Sequence, residues 1–329
     1  MKTLKFIVMA MFAVALSMSF TACSSSDGDN DGGQENQESN GNQSGNENND
    51  YIQKYITVKQ SKYVDNINSN GEIGISEQTV NVSYDDILLT RIDWSNTNIN
   101  QYWVFDYGTS KIINKYHNIT DNYYDYSFTI DDNFCITKIE SPDYTSSIMN
   151  VLHHHKENIQ FKYNEGRQLI SYEHNSISYI TTLDGSESIT SGSKQTVNYS
   201  WKNGNLVKVV VEDRDYDISS EEYNECYNDT YIFEYGNISN KGNIQPNEII
   251  ANIWPFDNII QSIVMSSGLF GVLSKNLPTK VILNDEISMN FTYELDEQGF
   301  VKSVSAKGDC GDDYTKSPFV YSSSFTYKN

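Results

Sequence analysis

Proline, cysteine and long apolar runs are all scarce in this chain. Only 5 of its 329 residues are proline. Little therefore interrupts continuous backbone ladders, since proline removes the donor that a ladder needs. Cysteine occurs four times, at Cys23, Cys135, Cys226 and Cys310, which excludes the dense disulfide framework of small secreted modules. Positive charge is in deficit: 23 Lys and Arg stand against 44 Asp and Glu, a formal charge of −21. That balance excludes nucleic acid and anionic lipid as partners, because both call for a cationic surface. The long apolar stretch, Phe6 to Phe20, is too short to cross a bilayer in comfort. Catalytic signatures are missing too. There is no Gly-x-Ser-x-Gly elbow, no His-Glu-x-x-His and no glycine loop that would cradle a phosphate.

What is present is tyrosine, 24 copies against 4 tryptophans, set in a recurring unit. Ile159-Gln-Phe161-Lys-Tyr163-Asn-Glu-Gly166-Arg167-Gln-Leu169-Ile170-Ser-Tyr172 reads as strand, turn, strand. Val197 to Val209 repeats the plan around Tyr199, Trp201 and Gly204, and Met289 to Val304 repeats it around Phe291, Tyr293 and Gly299. Alternate side chains point to opposite faces of a strand, so Phe161 and Tyr163 share one face and Lys162 and Asn164 the other. One face is apolar and one is wet. The glycine supplies the positive φ of the turn. Tyr126 to Phe134 and Tyr231 to Ile238 are weaker relatives of the unit. The spacing between copies varies, which excludes a strict solenoid.

The amino terminus is basic at Lys2 and Lys5, apolar to Phe20, and ends in small residues before Cys23. This is the layout of a secretory signal. Phe20-Thr21-Ala22-Cys23 resembles the lipobox of bacterial lipoproteins, with Phe in place of the usual Leu. The resemblance implies cleavage before Cys23 and acylation of that residue. Two or more acyl chains make a stable anchor at about 0.8 kcal/mol per buried CH₂. Three cysteines would then remain, enough for one disulfide at most. Residues 24–50 carry no aromatic or aliphatic side chain and cannot bury enough apolar surface to fold, so they read as a flexible acidic tether. The start of the tether, Ser24 to Asp31, resembles the signal that exports Bacteroidetes lipoproteins to the outer face of the outer membrane. Asp27, Asp29, Asp31, Gly32 and Glu38 also fit the letters of a helix-loop-helix calcium loop. No amphipathic helix flanks them, and a solvated linker is the simpler reading.

The expected organisation is a signal at 1–22, an acylated Cys23 and tether at 23–50, and one β-rich domain at 51–329. The expected fold is mainly β: an antiparallel meander of repeated hairpins forming a curved sheet or barrel. One helix near 255–270, carrying Ile259, Ile260, Ile263 and Val264 on one face, is expected to cover an end or opening of the sheet. Glu72 to Tyr84 is read as a strand or as a hairpin around Ser76-Glu77, and Ser146 to His153 as a strand or a helical turn. The aromatic hairpins, the Leu269 to Lys280 segment and the lipobox together resemble an uncharacterised family of Bacteroidetes lipoproteins described as porin-like. The hairpins are also similar, more loosely, to the Tyr-Asp repeats of Rhs-type shells. The family resemblance is clearest over 126–329 and implies a barrel-shaped fold, with no catalytic residues to carry over. The wet face of the hairpins (Lys162, Asn164, Ser200, Lys202, Asn290, Thr292) argues against a lipid-facing wall, which would be apolar over roughly 25 Å.

Candidate chemistry is thin. His153 and His155 share a strand face and could hold Zn²⁺ with His174 or a carboxylate; an exposed polar run is the plain alternative. Asp213, Asp215 and Asp217 share a side and could hold Ca²⁺. Trp94, Trp103, Trp201 and Trp254 could stack on sugar rings, or fill the core. No catalytic residue is assigned, and no cofactor is expected, with Ca²⁺ or Zn²⁺ as the alternative. The functional expectation is a lipid-anchored outer-membrane protein facing the exterior, with a non-catalytic binding or envelope-structural β-domain. Its partners would be membrane lipid through Cys23 and a glycan or envelope protein. The alternatives are a glycan-binding lipoprotein of a polysaccharide-uptake system, and a hydrolase with an unrecognised site.

Overall fold

A computed structural model describes residues 55–64, 74–85, 88–96, 100–116, 123–148, 151–245, 256, 258–285, 287–309 and 319–327. The signal, the tether, Cys23, Trp254 and Cys310 lie outside the described residues. The chain opens with β1 (Tyr55–Val64), β2 (Gly74–Asp85), β3 (Leu88–Asn96), β4 (Asn100–Asp106), β5 (Lys111–Tyr116) and β6 (Tyr123–Ile130). It continues through β7 (Ile136–Glu140), β8 (Tyr144–Ile148) and β9 (Val151–Tyr163). Long strands follow: β10 (Leu169–Thr181), β11 (Glu187–Lys202), β12 (Asn205–Asp217) and β13 (Glu222–Ser239). After helix α1 (Asn258–Ser266) come β14 (Asn276–Leu283), β15 (Ile287–Leu295), β16 (Val301–Asp309) and β17 (Phe319–Tyr327).

Among the described residues all strand pairs are antiparallel, in one 17-stranded meander sheet. The three clear repeats form the hairpins β9–β10, β11–β12 and β15–β16. Their turns differ in which residue takes positive φ. Gly204 and Gly299 do so in two of them, but in the first it is Arg167, at φ 60, and not Gly166. Three further expectations are refined, and one strand was not foreseen. Tyr231 to Ile238 is no hairpin; it lies within β13, which shifts register against β14 beyond Tyr235. Of the two readings of Glu72 to Tyr84 the strand holds, with Ser76-Glu77 in the interior of β2. Ser146 to Ile148 and Val151 to His153 lie in the paired strands β8 and β9, and β5 had no counterpart in the sequence reading.

Strand β1 pairs with β2 on one side and with β17 on the other, so the first and last strands of the meander are neighbours. The ring of ladders has an interruption. Strands β7 and β8 pair in succession along the same side of β9, and among the described residues no ladder joins β8 to β6. The sheet is therefore barrel-like without being fully closed.

Apolar side chains point inward, including Val80, Ile92, Ile112, Ile139, Ile159, Val197, Val209 and Val304, each fully buried. Outward positions such as Gln160, Lys162, Asn198, Ser200, Asn290, Lys302 and Lys307 are exposed and polar. A sheet this wide encloses more volume than its own inward side chains fill. The chain fills the difference itself. Phe256 packs on Trp103 and Phe105 with ring centroids 5.2 and 6.2 Å away, and Phe270 packs on Phe161 at 4.9 Å. Helix α1 is shorter than expected. It does not lie over the sheet with a wet outer side, since Gln261 and residues 263–271 are buried. Backbone bonds tie the following segment to the wall: Ile136 N to Leu269 O (2.7 Å), Val272 N to Arg167 O (2.9 Å) and Lys275 N to Gly204 O (2.9 Å). These anchors all lie at turns of one end of the sheet, which the segment therefore plugs.

Candidate functional site

At the other end the wall is uneven. Strands β9 to β13 run 13 to 18 residues. The β14–β15 turn stops at the level of Thr230, where Asn284 exchanges hydrogen bonds with β13. Residues 222–229 therefore rise beyond that turn, together with the strands paired to them. This raised part of the sheet, the crown, carries a half-open hollow of about 320 Å³, lined chiefly by Tyr144, His153, His154, His155, Ser178 and Tyr179.

The break between β7 and β8 shapes the hollow. Ser141 N donates to Glu157 O (2.9 Å), and Ser141 Oγ accepts from Glu157 N (2.8 Å). That exchange frees Asp143 to bond His154 Nδ1 (3.2 Å) and to pair with Lys156 Nζ (3.0 Å). His154 stacks on Tyr179, centroids 4.5 Å apart and planes 2° from parallel. Lys156 Nζ donates to Tyr179 Oη (2.8 Å). On the opposite face of the same strand, His155 bonds Ser178 Oγ through Nδ1 (2.9 Å) and Glu157 Oε1 through Nε2 (3.1 Å). Burial raises the Glu157 carboxyl above its ordinary range, while the His155 contact pulls the other way. His174 is pushed down to about 4, first by burial and then by nearby His155, so it is neutral at pH 7.

Below the hollow a polar chain enters the core. Tyr172 Oη donates to Gln195 Oε1 (2.5 Å), and Gln195 Nε2 donates to Asp213 Oδ2 (3.2 Å). Burial raises Asp213 to about 6, against the hydrogen bond from Gln195. A carboxylate whose folded pKa exceeds its unfolded value opposes folding once it is charged. That cost is absent below about pH 4 and complete above about pH 6. Asp213→Asn is therefore expected to raise the thermal midpoint at pH 7.5 by about 2–4 °C, after discounting for partial exposure. The gain should fade as pH drops from 6 toward 4. An equal shift at pH 7.5 and pH 4.5 in paired melts would refute this assignment.

The other residues singled out in the sequence fall as follows. Trp103 is a core side chain, 1 % exposed. Trp94 is half-buried against the core, and Trp201 is half-buried with its Nε1 donating to Leu169 O (2.8 Å). His153 is exposed. Asp213, Asp215 and Asp217 part company: Asp213 binds Gln195, Asp215 is exposed, and Asp217 accepts from Ser219 in the adjoining turn. Among the described residues no group of three His, Cys, Asp or Glu is placed to hold a metal ion. Among the described residues Cys135 and Cys226 are free thiols. The sequence reading missed Asp143, Glu157, Ser178 and Tyr179. The i, i+2 spacing of His155 and Glu157 does announce a shared face.

Comparison with known proteins reaches the fold alone. No protein-family model matches the chain, and no curated protein sequence does. Among solved structures, a porin-like protein from Bacteroides uniformis matches with a TM-score of 0.52 and 13% identity, over 83% of this chain and 98% of that one. A porin-like protein from Bacteroides vulgatus matches with a TM-score of 0.46 and 14% identity, over 84% and 99%. At these identities the likeness is one of fold.

Proposed function

We propose that the chain is a lipid-anchored outer-membrane protein, facing the cell exterior, whose β-domain binds a ligand or serves the envelope without spanning the bilayer. The observation that carries the reading is the polarity of the wall: apolar inside, polar outside. A membrane-embedded barrel has the reverse, an apolar band toward lipid around a polar interior. Phe256 and residues 263–271 are buried and fill the interior at one end, which disfavours conduction through the lumen. The lipobox letters before Cys23 and the acidic tether supply the anchor and its reach.

Cys23→Ala is expected to abolish fatty-acid labelling of the chain in cells and to shift it from the membrane to the soluble fraction. Persistent labelling would remove the anchor from the reading. The glycan-binding alternative is favoured by the hollow, where the His154–Tyr179 stack and several hydroxyls offer flat faces beside hydrogen-bonding groups. Binding on a glycan array that Tyr179→Ala removes would select it. No array signal from the intact chain would leave the envelope role.

A further inference from the structure

The hollow contains a hydrogen-bonded sequence of hydroxyl, imidazole and carboxylate. Ser178 Oγ lies 2.9 Å from His155 Nδ1, and His155 Nε2 lies 3.1 Å from Glu157 Oε1. With Glu157 ionised its carboxylate can only accept, and that arrangement puts the ring proton on Nε2. Nδ1 then presents its lone pair to the Ser178 hydroxyl. The burial gradient follows the same order. Ser178 and His155 line the hollow, and the His155 side chain is 40% exposed against 12% for Glu157. The double bond exchange with Ser141 fixes the backbone at Glu157. His174, the neighbouring imidazole, is held neutral by burial and so adds no competing positive charge.

We propose that Ser178 and His155 are a nucleophile and general base for acyl transfer from short-chain esters, with Glu157 positioning the ring. This goes beyond the binding reading and does not depend on the lipid anchor. As Ser178 Oγ bonds to the acyl carbon, its proton passes to His155 Nδ1. The carbon–alkoxide bond then breaks, and the leaving alkoxide takes that proton. A water molecule attacks the acyl-serine and gives a proton to Nδ1. The acid departs as Ser178 Oγ recovers the proton, so atoms and charge balance. Glu157 stabilises the imidazolium formed in each half, the role a buried carboxylate has in serine hydrolases, with the ring here turned end for end. Tyr144 pairs directly with His155 across β8–β9 and lines the same hollow; its phenol is a candidate donor to a developing oxyanion. A half-open space of about 320 Å³ lined by imidazoles and hydroxyls suits an acetyl-sized group on a polar alcohol, not a fatty chain.

The test uses the full chain with a fluorophosphonate probe and with p-nitrophenyl acetate. Peptide mapping should find the phosphonyl adduct on Ser178, and Ser178→Ala should lose both the adduct and about 10²–10³-fold of the ester hydrolysis. Glu157→Gln should keep the adduct at a slower rate and move the acid limb of the pH–rate profile to lower pH, because the imidazolium loses its counter-charge. A merely structural Glu157 would leave that limb in place. Absence of a Ser178 adduct in the unmodified chain overturns the proposal, as does equal hydrolysis by Ser178→Ala. The mapping is done on the unmodified chain, so a variant that failed to fold would not spare it.

Discussion

Gly271→Ala is expected to cost about 4 kcal/mol or more, the range reserved for a named structural conflict. Two penalties combine. Gly271 sits at φ +85, where a Cβ alone costs roughly 1–2 kcal/mol. That Cβ would also lie 2.0 Å from the carbonyl oxygen of Arg167, which is backbone and cannot swing aside. Relief requires separating the plug from the β9–β10 turn, losing the Gln168–Gly271 bridge and the bond from Val272 N to Arg167 O. Gly185 is the control. Its φ is +83, yet nothing lies within 4 Å of a Cβ there, so Gly185→Ala should cost only about 1 kcal/mol. Urea unfolding followed by circular dichroism measures both. Equal costs at the two sites would mean that the plug is not seated against this turn.

Trp103→Ala should destabilise by about 3–5 kcal/mol, as removal of a large buried aromatic does. The indole touches Phe256 at 5.2 Å and stacks on Tyr126 at 6.3 Å, so the cavity would open between wall and plug. Among the described residues its Nε1 finds no partner. Trp103→Phe therefore sacrifices no hydrogen bond and should cost well under half as much. If Trp103→Ala left the unfolding midpoint unchanged, the side chain would be free to serve a ligand, and the packing described above would be wrong.

The hairpins were legible because their chemistry is local. Phe161, Tyr163, Tyr199, Phe291 and Tyr293 alternate with polar residues at the period of a strand, and turn residues separate the runs. The inside and outside of the wall follow from the same alternation. Lys111 to Tyr116 escaped notice because six residues with one apolar pair carry little periodic signal. The 255–270 helix was read as amphipathic, hence as a cover. The residues on its far side, such as Gln261, are buried by the enclosing sheet, which no local pattern reports.

The candidate site was less legible, and one bulge shows why. Register in β9–β10 shifts between Leu169 and Ser171, so His155 faces Ser178. Counted from the turn without that shift, His155 would face Ile177, and no relay would exist. A slip of one residue exchanges the faces of a strand, and nothing in the letters announces where it falls. The contact between Asp143 and His154 depends likewise on the break between β7 and β8.

The sequence alone determined a β-rich domain with apolar and wet faces, preceded by the letters of an export signal and an acidic tether. Those are properties of composition and short-range period, which each stretch carries by itself. The tertiary structure decided that first and last strands meet, that the chain plugs its own interior, and that Ser178, His155 and Glu157 converge. Each of these turns on ladder register and on contacts between distant segments, which are fixed only when the whole sheet assembles.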